Sequence, residues 1–425
     1  MLRRAHSPIF RQGYVLVLAL VFLGIFFATG SAYLNSVTSS ARSIRASVAS
    51  AQALALAEAG IDAAVYQLNQ NGSYSGESNT ALGAGTYTVV VSAIDTNTKR
   101  LTVTGYVPNS ANPLATKTVT VLVSINTTTI SFHYGAQVGA GGISMNNNSQ
   151  VNGNLYSDGS ISGSGTITGD VTVASSTNSL SGVTVTGTAR AHSLTNCTIS
   201  GDAYYQTISN CPVGGTRYPG SADSASLPMP ISDAQITAWE ATAAAGGVTA
   251  GPHTVSGSET LGPQEINGDL TINGTLTLSG IVWVKGNVSF RNNASLTVSS
   301  NLGNAGAILI ADVPGNQSSK GTVDLSNNIT ISGNGNAGSY PMVLSTNSGS
   351  DAISVGNNAT SVILYASKGT IEVSNNASVN QITAYELSLQ NNATITYVSG
   401  LQNANFSGGA GGSWAVVPHT YSISR

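Results

Sequence analysis

From Ile266 the chain reads in sixes. Ile266-Asn-Gly-Asp-Leu-Thr is followed by Ile272-Asn-Gly-Thr-Leu-Thr, Leu278-Ser-Gly-Ile-Val-Trp, Val284-Lys-Gly-Asn-Val-Ser and Phe290-Arg-Asn-Asn-Ala-Ser. Apolar residues hold the first and fifth places, and glycine holds the third in four of the five. In extended chain, residues two apart face the same way. Leu270 and Ile272 therefore point inward together, Asn273-Gly274 turns the chain, and Leu276 and Leu278 point inward again. Glycine at a fixed place suits a corner that needs a positive φ or a close backbone approach. Three such faces make a coil of 18 residues, and an earlier stretch keeps the step, with Leu155, Ile161 and Ile167 beside Gly153, Gly159 and Gly165. The repeat predicts a parallel β-helix, expected to be right-handed.

A second ruler agrees with the first. Asn-Asn-Ala-Ser/Thr begins at Asn292, Asn357, Asn375 and Asn391, and Asn-Asn-Ile-Thr at Asn327. Successive steps are 35, 30, 18 and 16 residues, close to two, two, one and one coils. Asparagines at one corner of stacked coils can hydrogen-bond along the stack as a ladder. The reading places solenoid at 131–212 and 263–400. Between them, 213–262 is a Pro-rich insertion in which Ile231 to Ala245 is predicted to be helical, capped by Ser232 or Asp233, across the solenoid or over an end.

Only 8% of the 425 residues are charged, with 15 Lys plus Arg against 18 Asp plus Glu. No basic stripe exists to neutralise phosphates, which argues against a nucleic-acid partner. Low charge suits a solenoid, because like charges stacked coil upon coil repel.

The N-terminus has a different grammar. Arg3, Arg4, His6 and Arg11 precede an uncharged apolar run of 19 residues from Tyr14 to Ala32. That length just reaches across a bilayer core of about 30 Å. Positive charge ahead of the span keeps the N-terminus cytoplasmic and sends the rest out. Helical patterning continues to about Leu68 without proline. Val37, Ala41, Ile44, Val48, Ala51, Leu54, Ile61, Val65 and Leu68 form an apolar seam of period near 3.5, which suits packing on a neighbouring helix, on the chain's own next domain, or on one with each half. Three strands follow, Gly85–Ile94, Arg100–Val107 and Thr116–Ser124, as a small β-meander packed on that helix.

The basic leader ending at Gly13, the apolar helix starting at Tyr14 and its amphipathic continuation resemble the signal of type IV pilins. Ala57-Glu58-Ala59-Gly60-Ile61 is similar to the Ala-Glu-Ala-Gly element of PilX-type minor pilins. The later part of the chain is similar to uncharacterised solenoid domains that follow PilX-type N-termini in bacterial sequences. The resemblance implies a prepilin peptidase cutting between Gly13 and Tyr14, pilin-like partners, and a cell-surface location after membrane insertion through 14–32. Major pilins carry Glu at the fifth mature position, where this chain has Leu18, which implies a minor subunit.

The expected organisation is thus a leader (1–13), a membrane and amphipathic helix (14–70), a meander (71–130), solenoid (131–212), insertion (213–262), solenoid (263–400) and a tail (401–425). The fold class is mainly β behind a long helix. Cys197 and Cys211, the only cysteines, are expected to form a disulfide in an exported chain. With His192 they supply too few ligands for a metal site. Asp312 with Asp324, or Glu372 with Glu386, are the carboxylate pairs that neighbouring coils bring nearest to a sugar-cleaving arrangement. As solvated corner residues they have a simpler explanation. No catalytic residue, metal or cofactor is expected. The function expected is a non-enzymatic pilin-like subunit presenting the solenoid for adhesion, with a surface glycan as its ligand class. The alternatives are a membrane-anchored solenoid scaffold or adhesin independent of pili, and, more remotely, a polysaccharide-active β-helix enzyme.

Overall fold

The computed structural model describes residues 12–70, 74–94, 98–125, 127–407 and 414–424. The positively charged leader segment 1–11 lies outside them.

One helix, α1, runs for 59 residues from Gln12 to Gln70. Its Ala-rich, proline-free sequence supports that length. From Ala49 onward it buries one stripe, Ala49, Ala53, Leu56, Ala57, Ile61, Ala64 and Leu68, spaced by threes and fours apart from the adjacent pair Leu56 and Ala57. The stripe packs on an antiparallel sheet of β1 (Gly76–Leu82), β2 (Gly85–Ala93), β3 (Thr98–Val107) and β4 (Ala115–Ile125) in sequential order. Tyr87 and Val89, Leu101 and Val103, and Val119, Val121 and Val123 turn inward from alternate positions.

The seam predicted from large side chains is only partly the buried one. Of its members, Ile61 and Leu68 are buried, whereas Val37, Ile44 and Val48 are exposed. Those three lie ahead of Ala49, where the sheet does not reach; within the packed half, close approach of the backbones brings alanines into the contact. A Cβ on Gly105 would lie 2.1 Å from the Ala53 carbonyl oxygen, and one on Gly60 would lie 2.6 Å from Val103 Cγ1. Small residues on both surfaces set the contact, and alanine carries little weight in a hydrophobic pattern.

The segment read as a tail returns to this headpiece. Trp414–Val416 and Ser422–Ser424 both pair antiparallel with β4, giving a six-stranded sheet. Ala404–Ser407 pairs antiparallel with β5 (Thr127–Ile130), so the chain enters and leaves the solenoid through one two-stranded ribbon.

The rest is a parallel β-solenoid with in-register strands on three faces. Leu155, Ile161 and Ile167 are fully buried, as are Leu270, Ile272, Leu276 and Leu278. Glycines stack at one corner. A Cβ on Gly187 would lie 2.6 Å from the Gly169 carbonyl oxygen, and one on Gly201 would lie 2.5 Å from that of Gly187. Close approach, not a left-handed φ, is therefore what this corner demands.

Coil order departs from sequence order. The chain enters the rod at Ala136 and winds to one end at Arg217–Pro219. It then travels back along the outside and starts again at the opposite end with Val248–Ala250. From there it winds inward until Ser378–Leu389 pairs with Ala136–Met145 and Thr394–Thr396 with Gln150–Asn152. The last coil thus stacks on the first. The asparagine ladder crosses this seam. Asn147 Nδ2 donates to Asn391 Oδ1 at 2.9 Å, 244 residues apart, and Asn391 to Asn375, Asn375 to Asn357 and Asn357 to Asn327 continue it. A second ladder runs beside it from Asn392 through Asn376, Asn358 and Asn328 to Asn292.

The returning segment acts as a strap. The Tyr156 hydroxyl donates to the Ala225 carbonyl at 3.0 Å, and the Tyr365 hydroxyl to the Ile231 carbonyl at 2.6 Å. The strap ends in α2 (Asp233–Ala245), where Ser232 Oγ accepts from Gln235 N. Beneath α2 the outward row of one face is apolar, with Ile310, Leu344 and Tyr365 on successive turns. Trp239 of α2 and Phe406 of the ribbon close over it, ring centroids 6.3 Å apart. The insertion helix therefore covers a side of the rod, leaving its ends to other residues.

Candidate functional site

Three parts of the molecule bear on function: the free half of α1, a buried acidic contact, and the surface of the rod.

Gly13 lies in the first turn of α1 and Tyr14 is 75% exposed. Every residue from Tyr14 to Val48 is exposed, including Phe22, Phe26, Phe27, Ile44 and Val48, and Leu18 stands among them. The uncovered apolar run at the start of α1, Tyr14 to Ala32, is the signature of a segment built for a membrane or a partner. The Ala57–Ile61 element belongs to the packed half instead. Ala57 and Ile61 are buried, Gly60 meets Val103 and Tyr87, and Glu58 Oε1 accepts from the Tyr421 hydroxyl at 2.6 Å. Partial desolvation, then that hydrogen bond to a carboxylate, push the Tyr421 hydroxyl up to about 12. Glu58 thus ties the C-terminal strand to the helix, a role visible only once the tail is seen to return.

Cys197 and Cys211 form a disulfide with Cα atoms 4.6 Å apart. Coils in this region are 14 residues long, so residues 14 apart sit one above the other. Both cysteines are buried in the rod core near its end.

The carboxylates distribute differently from a catalytic pair. Asp324 points outward and accepts from Ser326 N at 3.0 Å. Glu372 pairs in register with Ser388, and Glu386 with Thr370, so the two glutamates are staggered along adjacent coils. Asp312 is buried, accepts from Gln317 Nε2 at 2.8 Å and from the Thr346 hydroxyl, and meets Glu240 of α2. Burial, then the hydrogen bond to Asp312 and that group's charge, push the Glu240 carboxyl up to about 8, against the pull of Lys285 and Lys368. Burial beside a second carboxyl therefore favours the neutral form of Glu240. The cleft beside the pair holds about 50 Å³, too small for a sugar ring. It reads as the polar part of the α2 contact. Sequence inspection missed it because Glu240 and Asp312 meet only when the strap folds back. Among the described residues, no group of three His, Cys, Asp or Glu side chains is placed to hold a metal ion.

One rod end is closed by polar side chains. His253 and Glu259 occupy positions that are Leu270 and Leu276 one coil on, and their side chains meet at 2.9 Å. Polar groups on a terminal coil oppose end-to-end stacking of rods.

The architecture is that of a single long apolar helix carrying a sheet headpiece, with a solenoid mounted on it by a ribbon. No family model matches the chain, and neither does any curated protein. One solved structure it is similar to is the competence-associated pilin ComZ from Thermus thermophilus, at 13% identity over 88% of this chain and 97% of that one, with a TM-score of 0.30.

Proposed function

We propose that the chain is a pilin-like minor subunit that presents a non-enzymatic β-solenoid outside the cell. The observation that carries this is the division of α1. Its first half is apolar and bare, and its second half is packed on a small antiparallel sheet. Residues 14–32 lie in the cytoplasmic or inner membrane before assembly, with the headpiece and rod extracytoplasmic. A prepilin peptidase removes the leader after Gly13, and pilin-like subunits or a related secretion machinery take up the bare helix. The rod then serves adhesion or surface assembly. Its sparsely charged, hydroxyl-rich surface suits contact with neutral polar partners such as surface glycans better than capture of anions.

A photoreactive amino acid at Val37 or Ile44, both exposed, tests this in membrane-derived protein. Crosslinks to the N-terminal helix of another pilin-like subunit are expected. Crosslinks to lipid alone would favour a membrane-anchored scaffold or adhesin independent of pili. Polysaccharide cleavage lost on changing Asp312 or Glu372 would contradict the non-enzymatic reading.

A further inference from the structure

One face of the rod carries a regular grid of side chains. Across the seam and toward the disulfide-bonded end, five successive rungs read Thr394-Ile-Thr396, Gln150-Val-Asn152, Thr166-Ile-Thr168, Thr184-Val-Thr186 and Thr198-Ile-Ser200. Their first two residues pair in parallel without a shift of register, and Thr168, Thr186 and Ser200 continue the ladder by donating their N–H groups to the Val151, Ile167 and Val185 carbonyls. The middle residue of each strand is buried, so the two flanking residues stand on the surface in two parallel rows. Along a row the step is about 4.8 Å, and between rows it is about 6.6 Å, twice the rise of a strand. Four steps make the double row about 19 Å long.

The chemistry of the grid is narrow. All ten outward residues are Thr, Ser, Asn or Gln, and none is charged or aromatic. Side chains are held in place by bonds between coils. Thr168 Oγ1 donates to Asn152 Oδ1 and Asn152 Nδ2 to Thr396 Oγ1, both at 3.3 Å, and Thr186 Oγ1 donates to the Thr168 carbonyl at 2.9 Å. Threonine is also β-branched, which limits χ1. A regular two-dimensional array, mostly of threonine hydroxyls and methyls, complements a surface that is itself a lattice. Sugar-binding platforms use aromatic faces for stacking, and this grid has none. Ionic minerals need charge, and it has none of that either. Ice is an uncharged lattice of hydrogen-bonding oxygens, with repeats comparable to the coil step.

We propose that this double row is an ice-binding face. Water held between the threonine ranks adopts ice-like order, so the face adsorbs to growing ice and the rod fixes the molecule there. The idea goes beyond a role in pilus assembly and holds whether or not α1 enters a filament. Helix crosslinking and ice adsorption are therefore separate readouts.

The test is inhibition of ice recrystallisation by the detergent-solubilised full chain, against the same detergent with an inert protein. Thr168→Tyr and Thr186→Tyr place bulk in the middle of the grid while keeping a strand-favouring residue. Ser162→Tyr, outward on a different face of the coil that carries Thr168, is the control. Wild type and Ser162→Tyr are expected to halt grain growth at the same concentration, and the two threonine variants to need tenfold more or higher, with unchanged melting. The proposal is overturned if wild type matches the inert protein, or if both threonine variants fold normally and keep full activity. It is also overturned if these variants lose binding to crystalline chitin while no chain affects ice, which would assign the face to a polysaccharide.

Discussion

Replacing Leu278 probes the solenoid register most sharply. Leu278 faces the rod core between Leu261 on one neighbouring coil and Val298 on the other, with none of its surface exposed. Burying a leucine contributes about 2 kcal/mol, and the cavity left by truncation adds to the loss where neighbours cannot relax. Here the neighbours are pinned by strand ladders on both sides. Leu278→Ala is therefore expected to cost about 3–4 kcal/mol, within the range known for buried leucines. Leu278→Asp adds an unpaired buried charge and costs several kcal/mol more. Thr277, one residue back, faces outward, and Thr277→Ala should stay within about 0.5–1 kcal/mol. Urea unfolding of the detergent-solubilised chain, followed by strand circular dichroism, separates the three. If Leu278→Asp unfolds with wild type, or Thr277→Ala costs as much as Leu278→Ala, the alternation assigned to this strand is wrong.

Three further outcomes are expected. Thiol labelling of the unreduced, denatured chain should modify neither Cys197 nor Cys211, and removing the bridge should cost about 3 kcal/mol, the chain-entropy value for a loop of this size; labelling of both thiols would show that no bridge forms. Cysteines placed at Gln150 and Thr394 should crosslink within one chain, because those residues pair directly across the seam; a crosslink found only between chains would assign the seam to a dimer. Glu240 holds its proton up to about pH 8 when folded but only to about 4.5 when unfolded. Stability should therefore fall as pH rises between those values and be lowest above them. Glu240→Gln should flatten that slope, and an unchanged pH profile would show that Glu240 does not titrate in this way within the α2 contact.

What the sequence discloses depends on how local the signal is. The hexads around Ile272 and the asparagine ruler are local and repeated, so they reveal the solenoid and its inward residues. The order of the coils is not local. Nothing near Ile382 marks Ala136 as its partner, although Asn147-Asn148-Ser149 repeats the corner motif and Ser149 takes the buried place held elsewhere by Ala294 or Ala393. The apolar side under α2 is legible afterward in strands such as Ile308-Leu-Ile-Ala311, which are buried on both faces and so show no alternation. On α1 the large residues mislead, because Gly105 and Gly60 draw the sheet so close that alanines make the contact. The tail strands around Trp414 and Ile423 are three residues each, too short to carry a pattern.

The pilin-like reading stands most directly on how the mature chain begins. Mass spectrometry of the N-terminal peptide from membrane-derived protein should find Tyr14 as the first residue, with the leader removed after Gly13. An intact Met1, or a start beyond Ala32, would contradict it.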